Sequence, residues 1–231
     1  MGDRATIYHR WQLGLHLCQL CLTVAALIIL LATGISLRLR TLIAAWTTLP
    51  WLQLGFALSL LGTGLQLLTA PLSWLHGFWL PRRFGILHQA FTSWCWDRMK
   101  GGLIGGALAL IAAEIVYGLL SVTSLWWLWA AGIIFLGSTL VARVVPIWIV
   151  PLFYQLTSLE DASLRNRLLA LAGRVNVPVL GVWVADQSRK SQTANAALVG
   201  LGRTRRILLF DTLIRSFPPD EVESVLAHEL G

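Results

Sequence analysis

His228 and Glu229 stand side by side in the stretch Val225-Leu226-Ala227-His228-Glu229-Leu230-Gly231. An imidazole is a nitrogen ligand for an ion such as zinc, and an adjacent carboxylate is a base that takes a proton from water. The metal motif H-E-x-x-H sets two imidazoles four residues apart on one helix face with the glutamate beside them. The chain carries the first four positions of that pattern, which needs a second histidine at the next one. Taken alone, the pair also suits a solvent-facing helix end, so the elements around it must decide between the two readings.

The helix that presents the pair is expected to begin at Asp220. Pro218 and Pro219 precede it, and Asp220, Glu221 and Glu223 lie in its first turns, where acid suits the helix dipole. Val222, Val225 and Leu226 share one face. Upstream, Ser163 to Arg174 sets Leu164, Leu168, Leu169, Leu171 and Ala172 against Arg165, Asn166 and Arg167, the pattern of an amphipathic helix. Leu180 to Ala185 and Arg206 to Phe210 read as strands, separated by a polar, glycine-bearing segment from 186 to 205. Asp211 and Thr212 are expected to end the second strand and start a turn, bonding locally and staying out of the chemistry. Residues 155–231 thus read as the first part of a small, incomplete α+β domain.

The rest of the chain is of another kind. Of 231 residues 56% are apolar and only 13% charged, and the mean hydropathy is +0.70. A soluble domain carries about a quarter charged residues, so this balance excludes one, along with disordered and disulfide-scaffold classes. A multi-span membrane protein remains. Trp11 to Leu37 carries no formal charge, and Pro50 and Pro71 bracket a second apolar stretch. Gly101 to Ala142 is too long for one crossing and holds polar residues at Ser121 to Ser124. Four spans follow, at about 11–37, 51–73, 101–122 and 125–149, in a transmembrane domain covering 1–154. Most of the 12 tryptophans fall at their ends, where the ring is stable at headgroup level.

The net charge of +7 sits in short clusters between apolar runs, which excludes a nucleic-acid face and suits an anionic membrane surface. Arg4, Arg10, Arg82, Arg83, Arg98 and Lys100 outnumber Arg38 and Arg40, which places the N-terminus and the domain after the fourth span in the cytoplasm. Cys18, Cys21 and Cys95 read as lipid-facing or helix-packing thiols. Glu114 lies within the third span and needs a partner such as Tyr117 or Arg143, or water. His16 and His76 have no companion at ligand spacing.

Four ordered blocks resemble the CAAX prenyl protease type I family of membrane-embedded zinc metallopeptidases. Gly85, Gln89, Asp97 and Lys100 match its G-x3-Q-x7-D-x2-K loop, and Pro151-Leu152-Phe153 with Leu159 and Leu164 is similar to its P-L-F segment. Ser188-Arg189-Lys190-Ser191 followed by Asn195-Ala196 and Gly200 is similar to its S-K-R-S-x3-N-A segment. The fourth block runs from Arg206-Ile207-Leu208-Leu209-Phe210-Asp211-Thr212-Leu213 to the His228-Glu229 pair. The chain departs from the pattern at Arg82 and Arg83, at Thr193 and at Ala197-Leu198, and it carries one span fewer ahead of the motif.

The resemblance implies a membrane-integral zinc metalloendopeptidase with His228 as a zinc ligand and Glu229 as the general base. It also implies that Asn195 and Ala196 offer hydrogen bonds to an extended peptide. One zinc ion is expected, its remaining ligands lying beyond the chain end, so the 231 residues alone are expected to be inactive. The partners implied are a peptide or protein substrate and the lipid bilayer. Two alternatives are a non-catalytic membrane scaffold of the same fold and a heat-shock-type quality-control protease. In either case Ser188 to Lys190 also reads as a solvated turn, and Asp97 with Lys100 as a helix pair with a docking role.

Overall fold

The computed structural model describes residues 2–230, so Gly231, the fourth position of the H-E-L-G run, lies outside them. Ten α-helices and four strands follow one another among the described residues. Their long apolar helices leave large side chains such as Leu31, Trp46 and Phe135 exposed, which is the composition of a lipid-facing surface. Four stretches are long and apolar enough to cross a membrane: Arg4–Ala32, Pro50–Arg83, Phe91–Val122 and Trp126–Phe153.

Helices α1 (Gly2–Ala32) and α2 (Ile35–Trp46) correct the first span as read from sequence, which ran on to Leu37. The chain breaks at Gly34, whose φ of 66° is a left-handed conformation that glycine adopts without a Cβ penalty. At 12 residues α2 is about 18 Å long, short of the roughly 30 Å hydrocarbon core. α3 (Pro50–Trp74) does not stop near Pro71 but continues through a π-helical turn, Leu75–Trp79, into α4 (Leu80–Arg83). After α5 (Phe91–Val122) and α6 (Trp126–Val144) a second π turn, Val145–Ile149, leads into α7 (Val150–Phe153). Each π turn sits just ahead of a proline, Pro81 or Pro151. A proline lacks the N–H and clashes with the carbonyl four residues back, here Gly77 or Ile147, and the wider turn relieves that clash without ending the helix.

The helices up to Ala131, without the 86–89 segment, form one compact unit. Its packing is aromatic and polar rather than aliphatic. Phe78 meets Phe91 at 5.3 Å and Trp94 at 5.6 Å between ring centroids, and Tyr8 meets Phe84 edge-on at 5.3 Å. His16 and His76 do find each other, with centroids 4.6 Å apart, and His76 Nε2 lies 2.8 Å from Gln19 Oε1, tying α1 to the first π turn. Glu114 has no hydrogen bond or ion pair among the described residues, so neither Tyr117 nor Arg143 supplies the expected partner. It lines a cleft with Pro50, Trp51, Tyr117 and Ser121 instead. All three cysteines are free.

The second unit comprises residues 86–89 and those from Gly132 onward. Strands β1 (Leu156–Ser158), β2 (Val182–Ala185), β3 (Ala196–Val199) and β4 (Arg206–Phe210) form one sheet in the order β1-β2-β4-β3. β2 and β4 are parallel, and the outer pairs are antiparallel. β4 is central, and its run Ile207-Leu208-Leu209 is buried on both faces. Against the sheet pack α8 (Ala162–Arg174), α9 (Asp211–Ser216) and α10 (Pro219–Leu230). Asp161 caps α8 by accepting from Ser163 N–H at 2.9 Å and Leu164 N–H at 3.0 Å. One core gathers Leu164, Leu168 and Ala172 of α8, Ile207 and Leu209 of β4, Leu213 of α9, and Val222 and Leu226 of α10. Arg167 of α8 bridges Asp220 and Glu223 of α10, each at 2.5 Å.

The polar 186–205 segment contains β3, which periodicity did not resolve but which the resemblance implies, since its matching segment there includes a strand bordering the cleft. Its exit to β4 depends on Gly200, where φ is 97° and a Cβ would lie 2.7 Å from Thr204 O. Asp211 and Thr212 open α9 rather than a turn.

Candidate metal centre and peptide edge

α10 lays Val222 and Leu226 into the core and packs against α8, α9 and β3. That leaves His228 and Glu229 exposed in its last turn. Neither side chain has a hydrogen-bond or ion-pair partner among the described residues, so both ring nitrogens and both carboxylate oxygens are open. No group of three or more His, Cys, Asp or Glu side chains comes together to hold a metal among the described residues. A catalytic zinc takes three protein ligands. The residues present therefore fit one ligand and a neighbouring base, and not the whole of such a centre.

β3 is an edge strand, and its outward pattern follows from one bond. Phe210 N–H donates to Asn195 O at 3.0 Å, which makes 195 and 210 a hydrogen-bonded pair. By the alternation of an antiparallel ladder, the backbone groups of Ala196 and Leu198 then turn to the open edge. The Ala196 N–H is met there by the Asn195 side chain, Oδ1 accepting at 2.9 Å. Asn195 is exposed and Ala196 is buried, its methyl in the core shared with α10. The two residues expected to receive a peptide thus lie at the start of β3, a strand that packs against the helix of His228 and Glu229.

Two sequence blocks a hundred positions apart also meet. Lys190 O accepts from His88 N–H at 2.8 Å and Gln89 N–H at 3.2 Å, and Gln192 N–H donates to Ile86 O at 3.2 Å. Lys190 is buried, with its ammonium 4.3 Å from the Tyr154 ring centroid and 5.7 Å from that of Phe153. The solvated-turn reading therefore fails for Lys190, which aromatic rings cover, while Arg189 stays exposed as that reading expects. Asp97 and Lys100 pair with each other at 2.8 Å on α5.

Asp211 was set aside as a local turn former, yet it bonds far along the chain. Its Oδ1 accepts from Ser188 N–H at 2.8 Å, its Oδ2 accepts from Ser188 Oγ, and Arg215 stands 3.3 Å away. Burial pushes the Asp211 carboxyl up, but the Ser188 bonds, the Arg215 charge and the Thr212 N–H outweigh it and hold the group below its ordinary value. A carboxyl depressed on folding adds stability that is full above its unfolded value of about 3.9 and is lost as pH falls through the lower folded value. Acid unfolding is therefore expected to be less steep below about pH 4 in Asp211→Asn than in the parental protein. Circular dichroism of both along an acid titration checks this, and superimposable acid limbs would contradict it.

Comparison with known proteins agrees with the blocks. The family described as "CAAX prenyl protease N-terminal, five membrane helices" matches residues 3–155, and "Peptidase family M48" matches residues 158–231. Against its five helices the described residues have four of spanning length, with the short α2 between the first two. "CAAX prenyl protease 1" of Saccharomyces cerevisiae is 34% identical over 75% of this chain and 39% of its own length. "Uncharacterized metalloprotease YhfN" of Bacillus subtilis is 28% identical over 88% of this chain and 48% of its own length. The crystal structure of S. mikatae Ste24p superposes with a TM-score of 0.84 at 26% identity, covering 96% of this chain and 54% of that one. The chain thus spans less than half the length of these two curated relatives. A multi-pass membrane region joined to a sheet domain, each matching in full order, makes this chain a member of the CAAX prenyl protease family of M48 peptidases.

Proposed function

We propose that the protein carrying this chain is a membrane-integral zinc metalloendopeptidase. The observation that supports this most is the pair of open side chains, His228 and Glu229, at the end of a helix seated on an edge strand. His228 would be one zinc ligand, the others lying outside the described residues. Zinc, when bound, supplies Lewis-acid activation of water and of the scissile carbonyl. Glu229 takes the proton from the attacking water and delivers it to the leaving amine. An extended peptide adds to the outer edge of β3, its carbonyl replacing Asn195 Oδ1 on the Ala196 N–H and its own amides pairing along the strand.

By likeness to the yeast relative, the proposed substrates are peptides ending in a prenylated cysteine motif. The protein expressed from its complete reading frame is expected to cleave such peptides, to lose activity to a chelator and to regain it with zinc. A zinc-loaded preparation that leaves prenylated and unprenylated peptides intact would overturn the reading. With one ligand, the 231 residues alone are expected to hold zinc weakly and to be inactive. The N-terminus and the peptidase domain are placed in the cytoplasm on the arginine and lysine distribution. A cysteine introduced into the 84–90 connection between α4 and α5 that labels only from the external side would reverse that orientation.

A further inference from the structure

The segment leading into β3 is stitched to three consecutive residues where β4 passes into α9. Phe210 N–H holds Asn195 O at 3.0 Å, Asp211 holds the N–H and hydroxyl of Ser188, and Thr212 Oγ1 donates to Thr193 O at 2.7 Å. Thr212 is buried, so its bond has no ready replacement in water. β3 has a neighbour on one side only, and the start of such a strand frays unless something fixes it. The bonds from Asp211 and Thr212 reach Ser188 and Thr193, the latter two positions before Asn195, the residue whose side chain occupies the open edge.

We propose that Asp211 and Thr212 are positioning residues for peptide binding: through Ser188 and Thr193 they set the place of Asn195 and of the outward amides of β3. The inference rests on the peptidase reading above and goes beyond it, since neither side chain touches substrate or metal. The two act on the peptide edge, whereas His228 and Glu229 are carried by α10. Loosening the stitch therefore weakens peptide binding and leaves the chemical step intact, which raises KM at constant kcat. A merely structural role would instead lower the fraction of active protein, reducing kcat at constant KM.

Thr212→Val keeps the shape and removes the donor, Thr212→Ser keeps the donor, and Ser188→Ala removes one of the two bonds to Asp211. In the zinc-loaded protein from the complete reading frame, Thr212→Val and Ser188→Ala are each expected to raise KM about three- to tenfold, the size of one hydrogen bond. Their kcat should stay within about twofold, and Thr212→Ser should return KM to the parental value. An unchanged KM, a fall in kcat at unchanged KM, or a Thr212→Ser protein as impaired as Thr212→Val overturns the proposal. If the parental protein cleaves no peptide, the peptidase reading falls, and hydrogen exchange still decides this one. Amides of 194–199 must exchange faster in Thr212→Val than in Thr212→Ser, and equal rates overturn it.

Discussion

Glu229→Gln is expected to leave zinc content at the parental level and to cut peptide turnover by about 10²- to 10⁴-fold, the usual contribution of a positioned general base. The amide is nearly isosteric with the carboxylate but does not accept the proton from water, and the side chain is not one of the metal ligands in this reading. Its exposed position on α10, with no partner among the described residues, means that no packing or ion pair is lost with the charge. His228→Ala is expected to behave differently. It removes a ligand and loses metal and activity together, because a catalytic zinc left with two protein ligands is held poorly. Elemental analysis and peptide hydrolysis on the same preparations from the complete reading frame separate the two roles. A Glu229→Gln protein that cleaves at the parental rate sinks the mechanism, and a His228→Ala protein with full zinc sinks the site.

What was legible in the sequence follows from what is local. The amphipathic face of α8, the central strand β4 and the helix of the His228-Glu229 pair are all written in periodicity and end signals, and they form as expected. β3 was not legible in periodicity. Ala196-Ala197-Leu198-Val199 has little strand character beside Thr193, Asn195 and Gly200, and it becomes a strand because β4 offers a partner edge. Pro71 looked like an end and is not one, because α3 carries it and the widened turn ahead of Pro81 keeps the helix going. The stitch from Asp211 to Ser188 could not be read either. Asp and Thr after a strand carry the signature of a turn, and only the return of the chain in space brings Ser188 within reach. Asn195 and Ala196 were named through the resemblance, while the feature that would suit them to a peptide, an outward amide capped by a neighbouring side chain, is a matter of ladder register.

Leu226→Ala tests whether the pair works because of where α10 sits. Leu226 is fully buried, two residues before His228, in one core cluster with Val222, Ala196, Leu168, Ile207 and Leu209. Removing a leucine side chain from such a site costs about 2–5 kcal/mol, transfer and cavity terms together. Against a domain stability of about 5–15 kcal/mol that is a large share. The loss falls on one helix, because α10 is held to α8, α9 and β3 by a narrow apolar face and by the Arg167 bridges at the surface. Exposed bridges of that kind contribute little and are screened by salt. The expected result is an unfolding transition well below the parental one and an α10 whose amides exchange much faster than those of β2 and β4. Activity should then fall more steeply on warming than in the parental protein, since in the proposed mechanism the undocked helix no longer holds Glu229 in place. Hydrogen exchange resolved by segment, with thermal unfolding in detergent, reads both effects. Parental protection of α10 in the variant would show that the core does not hold the helix, and the link from packing to chemistry would fail there.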